Sequence, residues 1–277
     1  MENSDVIAEL VAKAKIAQAQ VADYSQEQID RVCTAVAWEV YCDENIAQLA
    51  ELAVSETGMG TVADKIQKHK NKVLGVIDDV LKAKSVGLIE EDAARGIKKY
   101  AKPVGVIGAL TPVTNPTATP SSNAVSILKG RNAVIFAPHP RAKKSTKLAV
   151  DFMRNGLEKA GAPADLIQVI EEPSIDLTGE LMRQVDLVVA TGGGPMVKAA
   201  YSSGTPAFGV GPGNSCQIVA EDADISDAAR KIKTSKTFDN ATSCSSENSI
   251  VVQESIYSAM MQALIAEGGY LVTGEER

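Results

Sequence analysis

Hydrophobic positions recur at helical spacing in the N-terminal part of the chain, residues 1–80. Ser25 and Gln28 have the spacing of an N-terminal capping box. The apolar positions that follow lie three and four residues apart: Ile29, Val32, Cys33, Val36, Ala37 and Val40. We therefore predict a helical N-terminal region. Cys33 belongs to its apolar stripe, so we expect a buried side chain there rather than a reactive thiol.

A second predicted helix of this region carries a run of basic residues. It follows the helix stop at Gly58 and Gly60. Its basic side chains are Lys65, Lys68, Lys70 and Lys72. Acidic residues surround this run, so we expect a solvated helix face rather than a binding patch.

Beyond residue 98, short apolar segments rich in Val and Ile alternate with segments of helical periodicity. The predicted strands are residues 104–110, 133–138, 166–171, 186–191, 216–221 and 249–253. The predicted helices are residues 120–129, 142–160, 176–184, 195–202, 226–236 and 255–266. Nearly continuous apolar strands separated by helices indicate βαβ units. The pattern therefore predicts an α/β fold with a parallel sheet that helices cover on both faces.

Composition and charge narrow the class of protein. The chain has 277 residues, of which 45% are hydrophobic, and a formal net charge of −7. The apolar fraction excludes a disordered chain, and the negative charge argues against a nucleic-acid partner. No apolar run reaches the length of a membrane span, which is about 18 residues or more. The N-terminus is acidic where a signal peptide needs basic residues, so we expect a cytoplasmic protein with no membrane partner.

The cysteine and histidine residues predict no metal site. The four cysteines are Cys33, Cys42, Cys216 and Cys244, and the two histidines are His69 and His139. None of them has the spacing of a zinc motif. Scattered thiols suit a reducing compartment, where each cysteine is either a packing residue or a reactive nucleophile.

Ligands of parallel sheets gather at the carboxyl ends of the strands, so the loops there carry the candidate chemistry. The segment ATGGGPMV (190–197) follows a strand and opens a helix. Its glycines let backbone N–H groups approach an anion at a helix N-terminus. It matches neither GxGxxG nor the P-loop. Both a phosphate site and a tight turn without ligand remain open, and for GVGPGN (209–214) a plain loop is the better prediction.

Two further loops contain candidate catalytic side chains. Cys244 lies in the polar segment FDNATSCSSEN (238–248), outside any apolar stripe, which favours a nucleophile over an inert thiol. Asn115 follows a predicted strand, where its amide could donate to an oxyanion, but on this pattern alone an Asx turn is the better prediction. Neither histidine is an obvious partner for Cys244, which argues against a Cys-His hydrolase.

Taken together, these segments resemble the CoA-acylating branch of the aldehyde dehydrogenase superfamily. The resemblance is most specific in KGRNAVIFAPHPRA (129–142), in residues 190–214 and in KTFDNATSCSSEN (236–248). It implies a Rossmann-like cofactor domain with an N-terminal helical region. It also implies NAD or NADP as cofactor, coenzyme A as cosubstrate, and a short aldehyde, with anionic ones such as sulfoacetaldehyde or succinate semialdehyde among the candidates.

The resemblance also implies a role for each loop. Cys244 matches the nucleophile, and Asn115 matches the oxyanion amide. The residues implied to border the cofactor are Thr111, Pro112, Ala137, Pro138, His139, Thr191, Gly192, Gly193, Gly194 and Met196. Arg141, Lys143 or Lys144 are alternatives for binding a 2′-phosphate or the CoA phosphates, or else form a solvated helix start.

Val210 stands where hydrolytic members of the family have the glutamate that activates water. Without that base, a thioester on Cys244 would await a better nucleophile than water, such as the CoA thiol. The sequence therefore favours the acylating reaction. The alternatives are a hydrolytic dehydrogenase and a nucleotide-binding fragment without catalytic activity.

The length of the chain bears on its domain organisation. The chain ends at Arg277, only a short segment after Cys244, whereas the family's catalytic domain continues far beyond its cysteine. We expect residues 1–240 to hold the N-terminal helices and the dinucleotide-binding domain. Residues 241–277 would begin a truncated catalytic domain. The full-length protein is expected to form a homo-oligomer.

Overall fold

The computed structural model describes residues 3–274 and 276. The chain begins with four helices: α1 (Asn3–Val21), α2 (Gln26–Tyr41), α3 (Asp43–Thr57) and α4 (Val62–Lys82). The predicted capping box is present at the start of α2. The Ser25 hydroxyl accepts from the Gln28 amide at 3.2 Å, and the Gln28 side chain accepts from the Ser25 amide at 2.8 Å. The apolar stripe of α2 is buried, including Cys33, as predicted.

An antiparallel hairpin that the sequence pattern does not predict follows the helices. Its strands are β1 (Gly87–Asp92) and β2 (Ile97–Ala101). Both strands are largely exposed and rich in charge, and Lys99 pairs with Glu90 across the hairpin at 2.8 Å. The hairpin has no buried face, so it lacks the alternation of apolar and polar residues by which a strand is recognised.

A five-stranded parallel sheet forms the centre of the structure. Its strands and intervening helices are β3 (Val106–Leu110), α5 (Ala118–Lys129), β4 (Ala133–Ala137), α6 (Lys143–Lys159), β5 (Ile167–Val169), α7 (Ile175–Gln184), β6 (Leu187–Thr191), α8 (Gly194–Tyr201) and β7 (Ala207–Val210). The order across the sheet is β5-β4-β3-β6-β7. All five residues of β3 and of β4 are buried. Since neighbouring side chains of a strand point to opposite faces, both faces of the sheet are covered.

The strand order places a topological switch point between β3 and β6. The chain runs from β3 outward to β4 and β5, then returns to β6 on the other side of β3. Ile107 pairs with Val134 of β4 and with Leu187 of β6. A crevice for ligands opens outside the carboxyl ends of the strands at such a point.

A smaller unit follows the main sheet. It contains β8 (Ser215–Val219), α9 (Ile225–Thr237), β9 (Glu247–Val252) and α10 (Tyr257–Ala266). The two strands pair in parallel as a separate sheet. Val219, Ala229 and Met260 are the buried residues of its own small core. This core draws on residues before and after position 240, and the boundary at 240/241 stays a prediction.

The six predicted strands are all present, with ends that shift by one or two residues, and the fold class is confirmed. The prediction of a plain loop over 209–214 was wrong at its start, because Gly209 and Val210 belong to β7. This edge strand is short and contains a glycine, so it gives a weak pattern. None of the helices in the described part of the chain is both long and apolar enough to cross a membrane.

Candidate functional site

A cavity of about 900 Å³ lies at the carboxyl ends of the main-sheet strands. Four loops contribute to its wall: the segments after β3, β4, β6 and β7. The lining includes nine of the ten residues predicted to border a cofactor, namely Thr111, Pro112, Ala137, Pro138, His139, Thr191, Gly192, Gly193 and Met196. The tenth, Gly194, begins helix α8 at the cavity's edge. The structure thus brings together residues that are widely separated in sequence, from Thr111 to Met196.

The glycine loop after β6 leads directly into α8. Gly193 is the N-cap, and no side chain caps this helix end. None of the three glycines has a positive φ. A β-carbon would meet only ordinary contacts at Gly192 and Gly193, and open space at Gly194. Neither strain nor packing therefore accounts for glycine here, and the bare backbone leaves room for the close approach of a ligand.

Buried polar atoms without a hydrogen-bond partner lie among the cavity-lining residues. They are Thr111 Oγ1, Ser122 Oγ and Asn123 Nδ2. An unpaired buried polar atom costs free energy unless a ligand or water satisfies it. Ser122 and Asn123 lie on α5, and no sequence motif pointed to them. These atoms and the bare glycine backbone fit a polar ligand with an anionic group.

The basic residues that were considered for a 2′-phosphate are placed differently. In the described part of the chain, neither Arg141, Lys143 nor Lys144 lines the large cavity. The Arg141 guanidinium donates to the Thr57 carbonyl oxygen at 3.1 Å. Lys143 pairs with Glu172 on the surface.

Cys244 and Asn115 line the same cavity as the glycine loop. Cys244 is exposed, in contrast to Cys33, which is fully buried. Burial raises the pKa of the Cys33 thiol to about 12, so that thiol stays protonated and inert. The structure therefore places the exposed thiol, and not the buried one, in the wall of the cavity that Asn115 and the glycine loop also line.

The prediction of a solvated lysine face on α4 was wrong for two of its four residues. Lys65 and Lys68 are buried, and both ammonium groups pair with the fully buried carboxylate of Asp239. Asp239 lies in the cysteine loop, far along the chain from both lysines. Local sequence shows a run of lysines but not the distant carboxylate that compensates for their burial.

These two lysines also reach the loop of Asn115. Lys68 Nζ donates to Asn115 Oδ1 at 2.9 Å, and Lys65 Nζ donates to the Thr114 carbonyl oxygen at 3.2 Å. Thr242 Oγ1 donates to Asp239 Oδ2 at 2.6 Å. One hydrogen-bonded cluster, which consists of Lys65, Lys68, Asn115, Asp239 and Thr242, thus joins the amide loop to the cysteine loop.

The charges within this cluster stabilise one another. Burial alone would raise the pKa of Asp239, but hydrogen bonds from Lys68 and Thr242 and the nearby ammonium charges outweigh it and lower that pKa. Burial lowers the pKa of Lys68, and the Asp239 carboxylate opposes this shift. The pair is therefore held as carboxylate and ammonium.

The cysteine loop has an unusual backbone. Asp239, Asn240 and Ala241 have φ values of 51°, 51° and 59°. Three successive non-glycine residues in the left-handed region store strain, which persists only where surrounding contacts impose it. Here the Asp239 side chain is held by both lysines, and its amide donates to Asp64 at 3.0 Å. The loop that carries Cys244 is thus fixed by charged contacts.

A second cavity, of about 470 Å³, adjoins the first. Both cavities share Asn71, Lys72 and Ser243, so they meet beside Cys244. The residues that line only the smaller one are mostly basic or hydroxylic: Lys68, Arg230, Lys231, Thr234, Ser235, Phe238, Ser245 and Ser246. Its described lining contains no carboxylate, but Lys68 pairs with Asp239. Arg230 and Lys231 pair with Asp227, which leaves Lys72 as the unpaired cation among the described lining residues.

Comparison with known proteins gives a consistent result. The sequence profile of the aldehyde dehydrogenase family matches residues 2–276. The chain is 69% identical over 272 residues to a sulfoacetaldehyde dehydrogenase of an Acholeplasma species, covering 98% of this chain and 56% of that protein. It is 60% identical over 271 residues to the acylating sulfoacetaldehyde dehydrogenase of Bilophila wadsworthia, covering 98% and 58%.

A solved structure agrees with these sequence matches. An acetylating aldehyde dehydrogenase from Geobacillus thermoglucosidasius superimposes with a TM-score of 0.92 at 39% identity, over 99% of this chain and 61% of that one. The chain therefore spans a little more than half the length of the relatives it matches.

Proposed function

The chain belongs to the aldehyde dehydrogenase family, and from this premise we propose that it forms part of a CoA-acylating aldehyde dehydrogenase. Such an enzyme oxidises a short aldehyde to its acyl-CoA thioester with NAD or NADP. One observation carries the proposal. Cys244, Asn115 and the glycine loop of residues 192–194, which are far apart in sequence, meet at one cavity by the switch point of the sheet.

Cys244 is the proposed nucleophile. Its thiolate adds to the aldehyde carbon, and the carbonyl oxygen becomes an alkoxide. The Asn115 side-chain amide donates a hydrogen bond to that alkoxide. Removing one such donor typically costs about 10²–10³ in rate. Loss of hydride from the adduct leaves the acyl group on the Cys244 sulfur as a thioester.

A nicotinamide nucleotide fits the large cavity and, when bound, supplies the hydride acceptor. The bare backbone of Gly192 and Gly193 and the free helix end of α8 are suited to a pyrophosphate. The unpartnered Thr111 hydroxyl and Asn123 amide offer hydrogen bonds to a polar ligand. The cavity volume of about 900 Å³ lies in the upper range of small-molecule sites.

The fate of the thioester depends on which nucleophile is available. Val210 stands at the end of β7 in the cavity wall and offers no carboxylate. Asp79 is the one carboxylate among the described cavity-lining residues. It lies seven residues beyond Lys72 on α4, which is about 10 Å along the helix axis. Among the described residues that line the two cavities, no carboxylate therefore stands beside the junction next to Cys244, which supports transfer to the CoA thiol over hydrolysis.

The substrate is proposed to be a short anionic aldehyde, with sulfoacetaldehyde and succinate semialdehyde as the leading examples. The support is the basic, hydroxyl-rich cavity that meets the cofactor cavity beside Cys244. Lys72 lines both cavities, and no ion pair is found for it among the described residues, whereas the nearby Lys68 and Lys70 are both paired. If the sulfonate or carboxylate group of the substrate binds at Lys72, the aldehyde carbon of the same molecule can face the Cys244 thiol.

The setting of the enzyme is part of the proposal. Unpaired thiols persist in a reducing compartment, and all four cysteines are free, so we propose that the protein works in the cytoplasm. Apolar side chains remain exposed on the β1–β2 hairpin, including Ile97 and Tyr100. This exposed surface supports assembly of the complete protein into a homo-oligomer.

The experiment that tests this function is an aldehyde panel on the protein as its gene encodes it. NAD(P)H formation is followed with sulfoacetaldehyde, succinate semialdehyde and propanal, with and without CoA. We expect anionic aldehydes to be oxidised only when CoA is present, and Cys244→Ala to abolish the reaction. Acid formation at an equal rate without CoA would establish a hydrolytic enzyme instead. Nucleotide binding without any oxidation would indicate the non-catalytic alternative.

A further inference from the structure

We propose that Lys68 is a positioning residue that sets the orientation of the Asn115 amide and couples it to the cysteine loop. The inference rests on the proposed function, because it assumes that Asn115 stabilises an oxyanion formed at Cys244. It assigns a role in the reaction to a residue of α4 that, in the proposed function, only lines the smaller cavity.

The side-chain amide of Asn115 can adopt two orientations that differ by exchange of its oxygen and nitrogen. The ammonium of Lys68 decides between them. Asn115 Oδ1 accepts from Lys68 Nζ at 2.9 Å, whereas the flipped amide would set its own N–H groups against a cation. The observed orientation leaves Nδ2 with a single, long contact of 3.3 Å to Thr114 Oγ1. Nδ2 is thereby kept as the donor for an oxyanion in the cavity.

Lys68 is itself held in place by the cysteine loop. Its ammonium pairs with Asp239 and donates to Thr242 Oγ1 at 3.2 Å. Thr242 is two residues before Cys244. The Lys68 ammonium therefore contacts both the Asn115 amide and the loop that carries Cys244. Any shift of the cysteine loop would move Lys68 and, through it, the donor.

Lys65 provides a matched control within the same cluster. It lies one helical turn before Lys68 on α4, is equally buried, and also pairs with Asp239, at 3.1 Å. Its other partner is the Thr114 carbonyl oxygen rather than the Asn115 side chain. A change at Lys65 thus removes the same charge from the same environment without freeing the Asn115 amide.

The test uses the reaction of Cys244 with p-nitrophenyl acetate, on the protein as its gene encodes it. In that reaction the thiolate forms a bond to the acetyl carbon, and the bond to p-nitrophenolate breaks. The step passes through an oxyanion but needs neither nucleotide, CoA nor the natural aldehyde. The first-turnover release of p-nitrophenolate is measured for Lys68→Met, Lys65→Met and Asn115→Ala, and for the two double variants with Asn115→Ala.

We expect Asn115→Ala and Lys68→Met each to slow acylation by about 10²–10³, the usual effect of losing one oxyanion donor. Their double variant should be slower than Asn115→Ala by no more than about threefold, because Lys68 acts through Asn115. The effect of Lys65→Met should instead multiply with that of Asn115→Ala. Multiplicative effects of Lys68→Met and Asn115→Ala would overturn the proposal.

Two controls distinguish the positioning role of Lys68 from a loss of folding and from a failure of the proposed function. Lys68→Gln is prepared alongside Lys68→Met, and each variant is checked by circular dichroism and by nucleotide binding. If both Lys68 variants lose folded structure while Lys65→Met keeps it, Lys68 is a structural residue and the positioning role is wrong. If the unchanged protein reacts with the ester but never forms NAD(P)H, the proposed function fails while the positioning role of Lys68 stands or falls on the ester rates.

Discussion

The backbone of Gly213 lies against the carbonyl group of Cys244. A β-carbon at position 213 would overlap the Cys244 oxygen and approach its carbonyl carbon to 3.1 Å. The turn after β7 therefore supports the cysteine loop directly, and only a glycine leaves room for it. The turn that follows Val210 is thus a packing surface for the loop that carries Cys244.

This contact predicts that Gly213→Ala displaces Cys244. The obstacle is backbone rather than a flexible side chain, so the cysteine loop has to move. We expect the rate of acylation by p-nitrophenyl acetate to fall at least tenfold. Gly211→Ala is the matched control, since nothing lies within 4 Å of a β-carbon there. Equal rates for the two variants would show that the contact does not position the thiol.

The glycine loop after β6 leads to a second prediction, about nucleotide affinity. Gly193→Ala should lower the melting temperature by at most a few degrees, because the added methyl would meet only Pro195 at 3.8 Å and the one cost is a poorer N-cap for α8. It should weaken NAD(P) binding at least tenfold, since the methyl group would stand between the backbone amides and the pyrophosphate. Calorimetric titration measures the affinity. Gly179→Ala on α7, which also has room for a methyl, serves as the control, and an unchanged affinity for Gly193→Ala would refute the assignment.

Secondary structure can be predicted from the sequence where burial of an element requires apolar residues in a regular pattern. The strands β3 and β4 are fully buried, and their continuous apolar runs identify them within two residues. The capping box of Ser25 is equally local, because both of its partners lie within four residues. The hairpin β1–β2 has no buried face and therefore gives no such signal.

The candidate site likewise has some features that the sequence predicts and others that only the folded structure shows. The loops after β3, β4 and β6 are visible in the sequence because each directly follows a predicted strand, whereas the cysteine loop follows a helix and stands out by its polar composition. The burial and ion pairing of Lys65 and Lys68 cannot be predicted from the sequence, because both depend on Asp239, which lies near these lysines only in the folded chain. Ser122 and Asn123 on α5 likewise gain a role only from the cavity that other segments build around them.

A third prediction concerns recognition of the anionic group. Lys72→Met removes the positive charge at the junction of the two cavities, next to the proposed sulfonate position. We expect KM for sulfoacetaldehyde to rise about tenfold, which corresponds to about 1.4 kcal/mol, while KM for propanal stays unchanged. Lys82→Met on the exposed end of α4 is the control for loss of one charge. An equal change of KM for both aldehydes would argue against anion recognition by Lys72.

The last prediction concerns stability and pH, and it follows from His69. This side chain is buried, with Nε2 unpartnered and Nδ1 at 3.3 Å from Thr117 Oγ1. Burial lowers the pKa of His69 from 6.5 to about 4. Between these pH values the unfolded chain binds the proton and the folded chain does not, so acid favours unfolding. The stabilisation is complete above pH 6.5 and is lost as the pH falls toward 4.

The expected loss of stability from His69 is large enough to be measured by urea unfolding. Each unit of pKa difference corresponds to about 1.4 kcal/mol, so His69 should account for about 3 kcal/mol of stability lost between neutral pH and pH 4. Asp239 acts in the same direction, but only below the usual carboxyl range, because its pKa is lowered. Urea unfolding at several pH values therefore separates the two groups. His69→Gln, which retains a polar partner for Thr117 but does not titrate, should flatten the dependence between pH 6.5 and 4. Parallel curves for the two proteins would show that His69 is not the group responsible.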